Sequence, residues 1–157
     1  RALLEISNAG IATGTGKYSP QQLLTIASII QAEGEPKDFG KVSQVIYNRL
    51  NKGMPLQMDS TVHYVQKLRG DIFLSTKSTL IKSEYNTYRK YGLPPGPIGN
   101  PGLEAMVAAV NPTLGDWLYF ITVAPSDTRF TSSLDQFNIW KAEYKKNLRA
   151  GAFRSNK

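Results

Sequence analysis

Apolar residues near the start of the chain recur with a helical period. Four of them share one helix face at about 100° per residue: Leu23, Ile26, Ala27 and Ile30. Ser19 is a favourable N-cap, Pro20 suits the first helical position, and Gly34 suits a C-terminal stop. The pattern therefore predicts a helix that begins at Pro20 and ends just before Gly34.

A second helical pattern follows at once. Its apolar positions are again three and four residues apart: Val42, Val45, Ile46 and Leu50. We expect this helix to begin at Pro36 and to end at Gly53. The segment "MPLQMDSTVHYVQKL" should then run from an extended piece into a short helix capped by Asp59 or Ser60.

The second half of the chain mixes an irregular loop, two helices and a hairpin. Residues 85–102 contain four prolines and four glycines, which predict an ordered, extended loop. "LEAMVAAV" predicts a closely packed helix, and an amphipathic helix rich in Lys and Arg should run from about Ser133 to Arg149. "WLYFITV" and "TRFTSS" are expected to pair across the turn "APSD". The predicted class is α+β, mainly α, with a small antiparallel β element.

The Gly- and Thr-rich stretch "NAGIATGTG" favours a boundary early in the chain. We assign residues 1–18 to the end of a preceding region with its linker, and residues 19–157 to one domain. An apolar content of 41% and an aromatic content of 10% are typical of a globular protein. No apolar run approaches the roughly 20 residues that a membrane-spanning helix needs.

Composition excludes several kinds of chemistry. The chain has no cysteine, which rules out thiolate catalysis, Cys-ligated zinc and disulfides. Its single histidine, His63, rules out a site with several histidine ligands. We expect neither a metal nor a cofactor. The net charge of +7 favours an anionic partner, such as nucleic acid, an acidic membrane surface or a cell-wall glycan, unless it serves solubility alone.

Glu33 continues the apolar row of the first helix, three residues after Ile30. Burial and the negative end of the helix dipole should both raise its pKa. A protonated carboxyl near neutral pH is what protonation of a glycosidic oxygen requires. The alternative is a side chain whose stem covers apolar surface while its carboxylate reaches solvent. Glu35, which follows a glycine, should face water.

Two polar segments add groups that are suited to sugars. "LQMDST" and "EYNTY" combine hydroxyls, amides and aromatic rings, and they supply seven candidate substrate-binding residues: Gln57, Asp59, Ser60, Tyr85, Asn86, Thr87 and Tyr88. Each segment also has a purely structural interpretation. "MDST" is a plausible helix cap, and "YNTY" is a plausible turn with packed tyrosines. Their occurrence together with a rigid loop and a buried-side acid favours a binding cleft.

Five segments occur in a familiar order: "IASIIQAEGE", "VIYNRLNKGMPLQMDSTVHY", "YNTYRKYGLPPGPIGNPGLEAMVAA", "WLYF" and "FTSSLDQFN". Together they resemble the MltG-type (YceG-like) endolytic murein transglycosylases. The resemblance implies cleavage of the MurNAc-β-1,4-GlcNAc bond of peptidoglycan, with 1,6-anhydroMurNAc ends and shorter strands as products. It implies that Glu33 serves first as the acid and then as the base. The fold that it implies is lysozyme-like only in a general sense.

The resemblance also implies surroundings beyond this domain. The complete protein is expected to carry a single-pass N-terminal membrane anchor and a LysM-like region before residue 19. It would act on glycan strands at the extracytoplasmic face of the bacterial cytoplasmic membrane, with peptidoglycan synthases as further candidate partners and no nucleic acid. One departure is Phe137, where the family often has histidine. A glycan-binding scaffold without catalysis and a muramidase that uses Asp59 or Glu35 as a second carboxylate remain alternatives.

Overall fold

The computed structural model describes residues 17–69 and 79–154. The preceding region and linker assigned to residues 1–18 therefore lie almost wholly outside the described residues. Within the described ranges, five α-helices, a 3₁₀ turn and a hairpin follow one another in this order: α1 (Pro20–Glu33), the 3₁₀ turn (Pro36–Asp38), α2 (Phe39–Lys52), α3 (Asp59–Arg69), α4 (Leu103–Val110), β1 (Tyr119–Ala124), β2 (Asp127–Thr131) and α5 (Leu134–Arg149). The chain is α+β and mainly α, as the sequence predicted.

Helix α1 begins and ends where its sequence signals predicted. The Ser19 hydroxyl accepts a hydrogen bond from the Gln22 N–H at 3.2 Å, and the Gln22 side chain accepts one from the Ser19 N–H at 2.9 Å. This reciprocal pair is a capping box, and it satisfies two N–H groups that the helix itself cannot. At the other end, the N–H of Gly34 still bonds the Ile30 carbonyl at 3.1 Å.

The start of α2 differs from the prediction. Pro36 opens the 3₁₀ turn, and the α-helix begins only at Phe39. The Asp38 N–H bonds the Glu35 carbonyl at 2.8 Å, so the tighter i→i+3 pattern forms before the regular helix does. The end was predicted correctly, because Gly53 adopts the left-handed conformation with φ of 68°.

The hydrophobic core lies among α1, α2 and α4. Helix α1 is buried around most of its circumference, and Leu23, Ile26, Ile29 and Ile30 are all fully inaccessible. Alanines on α4 allow it to pack closely against α1. The irregular loop of residues 85–102 lies along α1, since the Ile98 N–H donates to the Ser28 hydroxyl at 3.0 Å. The loop is therefore held by the core even though it has no regular structure.

The hairpin and α5 form a second, more open part of the domain. Strands β1 and β2 pair antiparallel, with Phe120 opposite Phe130. Helix α5 packs against β1, and Asn147 Nδ2 donates to the Val123 carbonyl at 2.8 Å. None of the residues of α5 is buried. Within the described ranges, no helix combines the length and apolar character that crossing a bilayer requires.

Candidate active site

An open cleft of about 620 Å³ lies between the helical core and the hairpin–α5 part. On the core side it is lined by five polar or charged side chains: Glu33, Arg49, Gln57, Asp59 and Tyr88. On the opposite side five further side chains line it: Tyr119 of β1 and Phe137, Asn138, Lys141 and Tyr144 of α5. The cleft thus combines carboxylates, amides and aromatic rings.

Glu33 lies at the junction of two helices. It is the last residue of α1, and its Oε2 accepts a hydrogen bond from the Ser60 N–H at 2.8 Å, in the first turn of α3. The fully buried Ile30 lies one turn behind it. As a whole residue Glu33 is half-buried, so its carboxyl is desolvated by the core and still reachable from the cleft. Glu35 is exposed, as predicted.

The pKa of Glu33 is raised above its ordinary value, and burial is the largest cause. The Ser60 hydroxyl and N–H both lower the pKa by stabilising the ionised form. The negative charge of Asp59 raises it again, and His63 lowers it. The positive N-terminal end of α3 was not anticipated from the sequence, and it opposes the negative end of α1. The upward direction expected from the sequence is nevertheless the one found.

Ser60 contributes more than its backbone. Its hydroxyl oxygen is buried and has no hydrogen bond of regular geometry with the described residues. It lies close enough to the Glu33 carboxyl to lower its pKa.

Asp59 and Tyr88 form a hydrogen-bonded pair beside Glu33. The Tyr88 hydroxyl donates to Asp59 Oδ1. Burial, followed by the contact with Asp59, raises the pKa of Tyr88, so its phenol stays protonated and remains a donor. Asp59 is exposed to the cleft and places a negative charge near Glu33. The two candidates therefore lie together at the site.

Gln57 lies at the rim with an unusual backbone. It is exposed, lines the cleft and has a φ of 52°, in the left-handed region that non-glycine residues seldom adopt. Hydrogen bonds from the Gln57 N–H to the Thr87 carbonyl at 3.2 Å and from the Met58 N–H to the Thr87 hydroxyl at 2.9 Å hold this segment. Such over-determined strain is common at functional sites.

Three other candidates lie beneath or beside the cleft. Thr87 and Asn86 are buried, and Asn86 Nδ2 donates to the Thr79 and Ile81 carbonyls at 3.1 and 2.7 Å. The side-chain oxygen Oδ1 of Asn86 also accepts a hydrogen bond from the Tyr88 N–H at 3.0 Å. Tyr85 packs against Tyr64 with ring centroids 4.9 Å apart. Thr87 therefore holds Gln57 and Met58 in position, and Asn86 holds Tyr88. Direct contact of Tyr85, Asn86 and Thr87 with substrate remains a prediction.

Arg49 is a cleft residue that sequence reasoning missed. It is only 7% exposed, and its guanidinium donates to three carbonyl oxygens: Leu118 at 2.7 Å, Pro55 at 2.9 Å and Leu56 at 3.3 Å. It also lies 5.0 Å from the centre of the Tyr119 ring. Arg49 therefore joins the segment before α3 to the start of the hairpin. The signal was available, because Arg49 is four residues after Val45 and shares the apolar face of α2.

The α5 wall was also missed, apart from Phe137. Phe137 lines the cleft and packs against Tyr119 with ring centroids 5.3 Å apart, so it is an aromatic residue of the cleft wall. No group of three or more His, Cys, Asp or Glu side chains within residues 17–69 and 79–154 is arranged to hold a metal ion.

These features define a small α+β domain with one glutamate of raised pKa at the wall of a polar and aromatic cleft. The family model for the YceG-like family matches residues 3–143, and the chain belongs to this family.

Similar proteins carry a consistent name. The chain is 39% identical over 150 residues to the endolytic murein transglycosylase of Bacillus subtilis (strain 168). The match covers 92% of this chain and 41% of that protein. It is 43% identical over 105 residues to the endolytic murein transglycosylase of Streptococcus pneumoniae serotype 2 (strain D39), covering 64% of this chain and 19% of that one. The chain thus spans well under half the length of these relatives.

A crystal structure of a yceG-like protein from Listeria monocytogenes superposes with a TM-score of 0.71 at 36% sequence identity. The match covers 87% of this chain and 42% of that one. At this level of identity, the likeness supports a shared fold for nearly the whole domain.

Proposed function

We propose that this domain is the catalytic part of an endolytic peptidoglycan lytic transglycosylase. It would cleave the MurNAc-β-1,4-GlcNAc bond within glycan strands and leave 1,6-anhydroMurNAc ends, which limits strand length. The observation that carries the proposal is the position of Glu33, whose pKa is raised by burial while its carboxyl faces the cleft. The names of the similar proteins support the same substrate class.

Glu33 would first act as the acid. Its protonated carboxyl donates a proton to the glycosidic oxygen as the bond from C1 of MurNAc breaks, so GlcNAc leaves with a neutral 4-hydroxyl. Positive charge develops at C1, and the sugar's own acetamido group assists. Oε2 is held by the Ser60 N–H, while Oε1 has no regular hydrogen bond from the described residues. Oε1 is therefore the oxygen assigned to proton transfer.

Glu33 would then act as the base. Its carboxylate removes the proton from the C6 hydroxyl of the same MurNAc, and O6 attacks C1 to close the anhydro ring. The proton returns to Glu33, so the cycle balances without water. Because the nucleophile is tethered to the sugar, neither a protein nucleophile nor a positioned water is required. The hydrogen bond from Ser60 stabilises the carboxylate between the two steps.

The remaining candidates receive two kinds of role. Gln57, Asp59 and Tyr88 line the cleft and are assigned to sugar contacts, and Asp59 also keeps Glu33 protonated to a higher pH. Ser60, Tyr85, Asn86 and Thr87 are assigned to support of these groups. The complete protein would meet glycan strands at the extracytoplasmic face of the cytoplasmic membrane, where its anchor and any peptidoglycan synthase would also act.

The test is digestion of peptidoglycan by the complete extracytoplasmic protein, followed by analysis of the products. The wild type should yield 1,6-anhydro ends, and Glu33→Gln should lower the rate by roughly 10²- to 10⁴-fold, the usual contribution of a general acid–base group. Glu35→Gln is the matched control, because it changes an exposed glutamate two residues away.

Each other outcome has a definite meaning. Reducing MurNAc ends would identify a muramidase. Asp59 would then be the preferred candidate for the second carboxylate, because it lines the cleft and Glu35, the other candidate, does not. Strand binding without any product, unchanged in Glu33→Gln, would identify a scaffold domain. Undiminished cleavage by Glu33→Gln would overturn the assigned mechanism.

A further inference from the structure

One whole face of α5 lines the cleft instead of packing into a core. Its residues recur at helical spacing over about 15 Å of helix length: Leu134, Phe137, Asn138, Lys141 and Tyr144. This spacing would normally mark a buried stripe, yet none of the residues of α5 is buried. The face is therefore available to a ligand in the cleft.

Lys141 gives this face a positive charge that the protein leaves unused. The ion pairs among the described residues are Lys90–Glu84 and those of Arg129 with Asp127 and Glu143, and Lys141 is in none of them. The nearest acid along the helix, Glu143, is held by Arg129 at 3.0 Å. The charges that shift the pKa of Glu33 are those of Asp59 and His63, so Lys141 does not tune the acid.

The other cation of the cleft differs in this respect. The Arg49 guanidinium is largely buried and is engaged by three backbone carbonyls. Lys141 is exposed to the cleft and has no hydrogen bond with the described residues. Among the described residues lining the cleft, Lys141 is therefore the cation free to meet a ligand anion.

The chemistry of the substrate identifies that anion, and this step rests on the proposed function. In stem-bearing strands the lactyl carboxyl of each muramoyl sugar is bound in the amide that carries the peptide, so the glycan backbone itself is uncharged and gives Lys141 nothing to pair with. The carboxylates of peptidoglycan are on the peptide stem, which is attached to the lactyl group of the muramoyl sugar. We propose that Lys141 binds a stem-peptide carboxylate, so that the α5 wall favours strands whose stem carboxylates are free over strands whose stem carboxylates are blocked as amides.

The arrangement of the cleft fits a strand that meets Glu33 on one wall and Lys141 on the other. A strand that presents its glycosidic oxygen to Glu33 on the core wall has its other side toward α5. Asn138, three residues before Lys141, and Tyr144, three residues after it, add an amide and a phenol on the same face. These groups suit the amides of a peptide as well as they suit sugar hydroxyls.

The experiment compares Lys141→Met with the wild type on two substrates, glycan strands with free stem carboxylates and the same strands after chemical conversion of those carboxylates to amides. The stems are kept in both substrates, because their removal would free a lactyl carboxylate on each muramoyl sugar. We expect Lys141→Met to raise KM for strands with free stem carboxylates by about fivefold, the scale of one exposed ion pair, and to leave kcat nearly unchanged. Amidated strands should be cleaved equally by both proteins. Lys141→Arg should retain the preference, and added salt should weaken it.

Lys146→Met is the matched control, because Lys146 is an exposed lysine about 140° around α5 from Lys141. Equal losses on both substrates, no loss on either, or the same loss in Lys146→Met would each overturn the inference. Binding of both strands to the Glu33→Gln protein, with and without Lys141→Met, tests stem preference without cleavage. Loss of stem preference therefore remains distinguishable from failure of the mechanism assigned to Glu33.

Discussion

The two walls of the cleft are built in opposite ways. Behind Glu33, α1 contributes Leu23, Ile26 and Ile30, all fully buried, to the main core. Across the cleft, α5 has no buried residue and is held by ring contacts and surface hydrogen bonds. The group whose protonation must be controlled thus lies on the densely packed wall. The wall that we propose to contact the rest of the substrate is formed by α5, which has no buried residue.

This difference has a physical reason. Raising the pKa of a carboxyl by burial requires neighbours that cannot relax or admit water, and a close-packed core supplies them. A surface that grips a long polymer needs exposed side chains with freedom to adapt. Burial of a carboxyl constrains the identity of many neighbouring residues together, whereas an adaptable binding surface constrains few.

The strongest test of the comparison truncates one aliphatic residue on each wall. Ile30→Ala removes fully buried atoms one turn before Glu33 and should lower the free energy of unfolding by about 3 kcal/mol. Leu148→Ala on α5, where the side chain is 49% exposed, should change it by no more than about 0.5 kcal/mol. Urea unfolding of both variants measures the difference. Similar losses would show that the two walls are equally packed.

A second test concerns the residue that connects the walls. Arg49→Met keeps the length of the side chain but leaves the Leu118, Pro55 and Leu56 carbonyls without their donor. We expect a loss of about 2 kcal/mol in unfolding free energy, together with a higher KM because both cleft edges lose a shared support. Lys145→Met, at an exposed position of α5, is the control and should change neither. If Arg49→Met had the same unfolding free energy as the wild type, Arg49 would not be the residue that connects the two walls.

The smallest expected effect concerns pH. The charge of Asp59 raises the pKa of Glu33, which keeps the acid protonated to a higher pH. In Asp59→Asn this charge is absent, so the Glu33 pKa should fall and the alkaline limb of the kcat/KM profile should move to lower pH. In Tyr88→Phe the charge remains, and the limb should stay in place even if the rate falls. Movement of the limb to higher pH in Asp59→Asn would contradict the electrostatic account.

Local signals predicted much of the first wall. The cap at Ser19, the stops at Gly34 and Gly53 and the side of α1 that carries Glu33 all depend on residues a few positions apart. They could be read because helix geometry is regular over such distances. The hairpin and the final helix were recognised for the same reason. The 3₁₀ turn at Pro36 was missed because proline begins either kind of helix equally well.

The contacts between distant segments could not be predicted in this way. Ser60 bonds the Glu33 carboxyl across 27 positions of sequence, and no local pattern specifies that approach. The sequence predicted α5 only as an amphipathic helix, and only its packing against the hairpin shows that one of its faces borders a cleft. Arg49 is different, because a charged residue on an apolar helix face is the same signal that singled out Glu33.

Glu33 lies where the end of α1 meets the beginning of α3, so the packing of the helices and the pKa of its carboxyl depend in part on different residues. The helices are fixed by the interior, and burial is the main cause of the raised pKa of the carboxyl. That pKa is then adjusted by Asp59, Ser60 and His63 near the start of α3, and of these Asp59 and His63 are exposed. Exchanges at Asp59 and His63 would therefore shift the pH range of the proposed acid without a change in the packing of the helices.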